Sequence, residues 1–457
     1  MRSTRSPLVW YPLALLVLAA IGGAALLTPA CVSLSERDRS AYGKLPAWYA
    51  GFDALSAACT VGLTLRDVRE QYTPLGRWVL TLLGIAGTVL HIVALRGVLA
   101  RLFDMQPGAA DRRELLALPI SLVVAAAAAT PLVAWAGGED RAETGRAVLA
   151  TFFGLSPGLA SSLRDPAATG HSLLIAVLAI VGTIGLALCL RLTAWRWAAW
   201  SARTVMAALV PVGAMVGACL ALAGCVQLFE QPRVESGWRG HGAGPIRAAR
   251  AEGATMAGRW AELLALAHAG QAAPREPGDE PREGTRLVLA LTIIAGGLSP
   301  ASGGVSWLVL LAALGLASPL AAAAAGAAVS PVTRERVVCA ARRVVVAVLA
   351  LALIATLGLL VIEARVADRF ETPARLGEAV LDASAVAGGG AATSGLIARL
   401  TSPHLSRGMA QGVDSYLYGM VWTLLVMFAG RIVPLIVLGA CGPRGPVGVA
   451  ARQPAAD

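Results

Sequence analysis

Four short stretches of this sequence pair glycine with small or polar side chains in a way that could hold a bare cation. They are Thr60-Val61-Gly62, Ser156-Pro157-Gly158, His268-Ala269-Gly270 and Thr393-Ser394-Gly395. Glycine lets a chain turn its backbone carbonyls towards one axis, where they can replace the water around an ion. Any one of the 50 glycines in so apolar a chain reads first as a helix-packing contact, as Gly84 with Gly87 and Gly182 with Gly185 do. Four glycine turns at matching places argue for an ion path.

One of these turns also admits a different chemistry. Gly154-Leu155-Ser156-Pro157-Gly158 has the G-x-S-x-G spacing of a serine nucleophile, and His91 and His171 lie in or beside apolar runs. An intramembrane serine hydrolase using Ser156 is therefore the rival reading. The motif arises easily in a chain rich in glycine and serine, and a proline follows the serine, so the ion path is preferred and no enzyme is expected. There is no HExxH, no phosphate-binding GxxxxGK[ST] and no dinucleotide fingerprint. No bound cofactor is expected, and any driving force comes from a partner or from the membrane potential.

The elements that must position these turns are membrane helices. The chain has 457 residues, 56% hydrophobic and 14% charged, with mean hydropathy +0.67. A bilayer core of about 30 Å needs about 20 apolar residues per crossing. Runs at 8–30, 78–95, 115–136, 171–190, 205–228, 287–329, 344–362 and 417–440 qualify. The run 287–329 is too long for one straight crossing and carries Gly296, Gly297, Pro300, Gly303 and Gly304, so it is expected to break. Each glycine turn follows a helix too short to span, at 52–58, 146–153, 260–267 and 375–387. Such a helix enters the membrane partway and returns, which is tolerated where the return lines a water-filled cavity. Its C-terminal carbonyls then point at the cation path.

The expected fold is all-α and integral to the membrane. It has four repeats of spanning helix, pore helix and spanning helix, giving eight spanning and four pore helices around one pseudo-fourfold pore. The repeats cover residues 1–104, 105–200, 201–330 and 331–445, with a tail at 446–457. The third contains a polar loop at 230–258, read as flexible and external, and the interruption at 295–306.

The net charge of +10 could point to nucleic acid, but its arginines gather in alternate loops. Arg2 and Arg5 precede the first run. Arg101, Arg112 and Arg113 follow the second, Arg191, Arg196 and Arg203 the fourth, and Arg334, Arg336, Arg342 and Arg343 precede the seventh. This asymmetry predicts both termini on the cytoplasmic side and no nucleic-acid partner. The first run is longer than a signal-peptide core and is needed for that pattern, so it is kept as a helix. The seven cysteines show no metal-like spacing and read as small core residues. Asp67 and Glu378 stand near the outer ends of pore loops, where they could concentrate cations. His268 reads as a vestibule residue.

Three stretches resemble the superfamily of Trk, Ktr and HKT potassium transporters. Ser56-Ala57-Ala58-Cys59-Thr60-Val61-Gly62-Leu63, with Asp67 and Thr73-Pro74-Leu75-Gly76 downstream, is similar to that family's first filter and its exit. Residues 295–304 resemble the glycine-rich loop that interrupts the family's third repeat, and residues 427–435, around Arg431, resemble its last helix. An arginine inside an apolar span independently asks for a partner. Two departures stand out: Val305 is followed by Ser306 where the family usually has lysine, and Pro157 and His268 are unusual in a filter.

The resemblance implies potassium uptake across the inner membrane through a selectivity filter at the four glycine turns. Glycine at all four filter positions goes with potassium preference in the family. It implies a gate formed by Gly296, Gly297, Ser299, Gly303 and Gly304 against Arg431. It further implies a homodimer bound to a cytoplasmic ring of nucleotide-sensing RCK subunits. A nonconducting scaffold of the same fold is the remaining alternative.

Overall fold

The computed structural model describes residues 7–33, 47–64, 68–103, 202–230, 283–296, 307–315, 331–366, 375–388, 396–401 and 413–442, together with 145, 146, 148–150, 153, 260, 263 and 305. Apart from one isolated bridge between Val32 and Tyr72, the regular structure among these residues is helical.

The helices are α1 (Pro7–Leu26), α2 (Ala47–Ala58), α3 (Val68–Gln71), α4 (Pro74–Leu102), α5 (Ala202–Glu230), α6 (Glu283–Ala295), α7 (Trp307–Ala313), α8 (Pro331–Val366), α9 (Leu376–Gly388), α10 (Leu396–Thr401) and α11 (Val413–Ala440). Four contain segments long and apolar enough to cross a bilayer: Leu8–Leu26, Pro74–Leu102, Pro331–Arg365 and Leu417–Ala440. The run expected at 205–228 lies within α5, whose apolar part covers Gly213–Phe229. The runs expected at 115–136 and 171–190 lie outside the described residues.

The long helices are apolar on their outer faces as well as their inner ones. On α1, Tyr11, Leu15 and Leu26 are buried, while Val9, Leu13 and Ile21 are exposed. On α8, the exposed residues Val346, Leu349, Leu353, Leu357 and Val361 recur every three or four positions, one face of the helix. A helix presenting apolar side chains all round has hydrocarbon as its outer solvent. This protein is a multi-pass membrane protein.

Local sequence sets the helix ends. Pro7 and Pro331 open α1 and α8, where a missing N–H costs nothing. Pro74 opens α4 behind Thr73, whose hydroxyl accepts from the Gly76 N–H at 3.3 Å. Glu378, in the first turn of α9, reaches back to accept from the Arg375 N–H at 3.3 Å, the reciprocal half of a capping box. The segment after α1 and the segment before α4 are tied by Ser33 N to Gln71 O (2.9 Å) and Thr73 N to Cys31 O (3.0 Å).

The long run at 287–329 is interrupted after Ala295. Gly296 turns with φ +67°, a conformation that suits glycine. The chain is back at Val305, whose N–H donates to Ile294 O at 2.8 Å, and helix resumes at Trp307. The ends of this interruption are thus stitched together.

Two parts of the chain are built alike. In each, a long helix (α1 or α8) packs beside a short one (α2 or α9) that leads through a short segment (α3 or α10) into a second long helix (α4 or α11). The short helices are deeply enclosed: α2 buries eight of its 12 residues and α9 buries 11 of 13.

Candidate functional site

The site begins at the C-terminal end of α2, where the last carbonyls need partners that the helix cannot supply. Val61 N donates back to Ser56 O (2.9 Å) and Thr60 N to Ala57 O (2.8 Å), while Gly62 N also reaches Ser56 O (3.2 Å). This pair of bonds, six-to-one outside five-to-two, is a Schellman motif, and it requires a left-handed residue after the helix. Thr60 occupies that position with φ +57°, and Gly62 repeats it with φ +65°. A threonine held there costs about 1–2 kcal/mol relative to an ordinary conformation, so the surrounding structure determines this turn.

Two carbonyls remain. That of Ala58 faces the Gly87 Cα on α4 so closely that a methyl group on Gly87 would collide with it. That of Cys59 accepts a hydrogen bond from Arg431 Nε on α11. Arg431 is buried, inside an apolar span, and its positive charge lies at the partially negative end of α2. Beside it, the Tyr11 hydroxyl is 2.8 Å from His91 Nδ1, joining α1 to α4.

The same close approach recurs in the other half. Gly430 on α11 faces the Ala387 carbonyl near the end of α9 as Gly87 faces Ala58, and Gly388 abuts the backbone of Ile293 on α6. Short helices are also held by neighbours far along the chain. Arg286 on α6 bridges Glu378 on α9 and Glu283, each at 3.1 Å, with its own side chain 1% exposed. Arg146 Nη1 lies 3.4 Å from Thr81 Oγ1 on α4. Trp260 Nε1 donates to Val216 O on α5 at 3.3 Å.

Of the residues singled out from sequence, Thr60, Val61 and Gly62 form the described turn, and Gly296 and Arg431 are also described. Ser156, Pro157, Gly158, His268, Ala269, Gly270, Thr393, Ser394 and Gly395 lie outside the described residues, as do Gly297, Ser299, Gly303 and Gly304. Arg431, paired by sequence with the interruption at 295–306, here bonds the end of α2. Glu378, read from sequence as a vestibule charge, is instead half of a buried ion pair and a helix cap.

Sequence analysis does not single out four further residues. Asp53 in α2 is fully buried and accepts from the Tyr72 hydroxyl at 2.8 Å. Gln71 Nε2 donates to the same Tyr72 oxygen at 3.2 Å. Burial, and then the Asp53 carboxylate beside it, push the Tyr72 phenol above its ordinary range. Asp382 in α9 is likewise fully buried and accepts from the Ile397 N–H at 2.8 Å. The available signal was an acid in a short, otherwise apolar helix.

Neither a protein-family model nor a curated protein matches this chain. Among solved structures, it is similar to the crystal structure of the potassium transporter TrkH from Vibrio parahaemolyticus. The likeness has a TM-score of 0.60 at 15% identity and covers 96% of this chain and 85% of that one. The chain has that fold, and the protein it shares it with is a transporter, not an enzyme.

Proposed function

We propose that this protein carries potassium inward across the cytoplasmic membrane through one pore surrounded by four repeats, at 1–104, 105–200, 201–330 and 331–445. The observation that carries the reading is the Thr60–Gly62 turn. It follows a buried short helix, has two successive left-handed bends among three residues, and is fastened below by Arg431, in a chain with the fold of a potassium transporter.

In this reading, carbonyls of Thr60, Val61 and Gly62 line the first quarter of a selectivity filter. Ser156 to Gly158, His268 to Gly270 and Thr393 to Gly395 supply the others. The arrangement of neighbours supports a ring. Among the described residues, α6 leans on α9, α11 on α2, and α4 on the segment containing Arg146, so in these three cases an inner helix supports the pore helix of the following repeat. Gly296, Gly297, Ser299, Gly303 and Gly304 form the gate below, closing against Arg431. Both termini are cytoplasmic, and two copies bind an RCK-type nucleotide-sensing ring through the basic loops. The membrane potential drives the ion: about 100 mV is worth about 2.3 kcal/mol per charge.

The test is growth of a potassium-uptake-deficient bacterium at limiting potassium. Rescue by the native chain and its loss with Gly62→Asp, at equal membrane expression, supports the reading. Failure of the native chain to rescue in the presence of a matched RCK subunit refutes it.

A further inference from the structure

Asp53 and Asp382 are each the seventh residue of their short helix, counting from Ala47 in α2 and from Leu376 in α9. Both are 0% exposed, in helices otherwise built almost wholly of apolar and small residues. A buried carboxylate is costly unless hydrogen bonds surround it. In both cases the bond is made to the chain after the pore loop. Asp53 Oδ2 takes the Tyr72 hydroxyl, just before α4, and Asp382 Oδ2 takes the Ile397 N–H, in α10, both at 2.8 Å. The partners differ in kind, a side chain in one case and a backbone amide in the other, while the carboxylate's place in the helix is the same.

The effect on the first turn follows from its two anchors. Its inner end is set by the Schellman bonds to Ser56 and Ala57 and by Arg431 on the Cys59 carbonyl. Its outer end is set by Asp53 through Tyr72, which is itself paired with Val32 in the segment after α1. Between these anchors lie Thr60, Val61 and Gly62, whose bends would relax if either end came loose.

We infer that Asp53, with Tyr72, and Asp382, with the Ile397 amide, are positioning residues that hold the outer ends of the first and fourth pore loops and thereby set discrimination between potassium and smaller cations. This deepens the proposed function and rests on it. The carboxylates act as hydrogen-bond acceptors behind the loop and do not touch the ion. A filter that selects by cavity size and carbonyl placement depends on the frame that holds those carbonyls, so a loosened frame is expected to lower discrimination.

The experiment is uptake of potassium and of sodium, measured separately, by the purified full-length chain in proteoliposomes. The variants are Asp53→Ala, Asp53→Asn, Tyr72→Phe, Asp382→Ala and Asp382→Asn. Tyr72→Phe removes one oxygen and keeps the ring packing, so it reports even if an alanine variant does not fold. The expected result is a potassium-to-sodium ratio lowered about tenfold in Tyr72→Phe and the alanine variants, the size of effect that loss of one hydrogen bond to a carboxylate carries. The asparagine variants, which keep a carbonyl acceptor, should retain most of it. An unchanged ratio in Tyr72→Phe and the alanine variants overturns the inference and leaves potassium transport standing. Equal loss in the asparagine and alanine variants overturns it in favour of a role for the charge itself. Absence of any potassium uptake by the native chain removes the proposed function and this inference with it.

Discussion

Substituting Gly87 by alanine tests whether the approach of α4 to α2 positions the pore turn. The new methyl group would point into the last peptide of α2. It would lie 2.8 Å from the Ala58 carbonyl carbon and 3.1 Å from its Cα, with the carbonyl oxygen closer still. All three are backbone atoms, so no rotamer change relieves the clash. Ordinary contact at about 3.5–4.0 Å therefore requires the two helices to separate by about 1.5 Å, the carbonyl oxygen setting the distance. Overpacking of this kind costs about 1–3 kcal/mol, and it shifts the end of α2 from which Thr60 to Gly62 emerge. The assay is thermal unfolding of the purified protein in detergent together with potassium uptake in proteoliposomes, with Gly217→Ala as control. Gly217 has nothing within 4 Å of the corresponding point, and alanine is the better helix former by about 1 kcal/mol. We expect Gly87→Ala to lower the melting temperature and abolish uptake while Gly217→Ala leaves both unchanged or raises stability. If Gly87→Ala melts and transports like Gly217→Ala, the close approach does not position the pore turn.

Arg286→Ala strands Glu378 in a buried setting and should cost about 3–5 kcal/mol, seen as a large drop in thermal stability that Arg286→Met with Glu378→Gln recovers in part. Thr60→Gly relieves the left-handed strain at φ +57° but adds freedom to the unfolded chain. The balance of these opposing terms of about 1 kcal/mol each is a stability change within about 1 kcal/mol, read by thermal unfolding. The fourth quarter of the proposed filter admits two registers. Gly62 stands nine residues after Asp53, and the residue nine after Asp382 is Ala391, preceded by Gly389 and Gly390, whereas Thr393 to Gly395 end immediately before α10. Comparing Gly390→Asp with Gly395→Asp in the growth assay decides between them, since an acid in the filter abolishes rescue and one outside it does not.

The parts of this fold legible in the sequence are those governed by local rules. Runs of apolar residues the length of a bilayer mark the long helices, and Gly296 with its neighbours marks the interruption after Ala295 because no continuous helix tolerates so much glycine and proline. Thr60-Val61-Gly62 after a short helix marks the turn. What was not legible depends on contacts between distant residues. Arg431 plainly needs a partner, but nothing local identifies the Cys59 carbonyl, 372 positions away, as that partner. Glu378 looks like a surface acid until Arg286, from a different helix, closes over it. Asp53 and Asp382 each stand out as an acid within a short apolar run, which is a sequence property, but their shared place shows only with the helices starting at Ala47 and Leu376. Their purpose appears only with Tyr72 and Ile397 in place.

The most direct test of the central claim is accumulation of radioactive rubidium by proteoliposomes holding the purified chain under an imposed inside-negative potential. At about 100 mV, a conducting pore should concentrate the ion up to about fifty-fold, the ratio that corresponds to 2.3 kcal/mol. The account predicts accumulation that follows the potential and is absent with Gly62→Asp. Accumulation by the folded native chain no greater than by Gly62→Asp would contradict it.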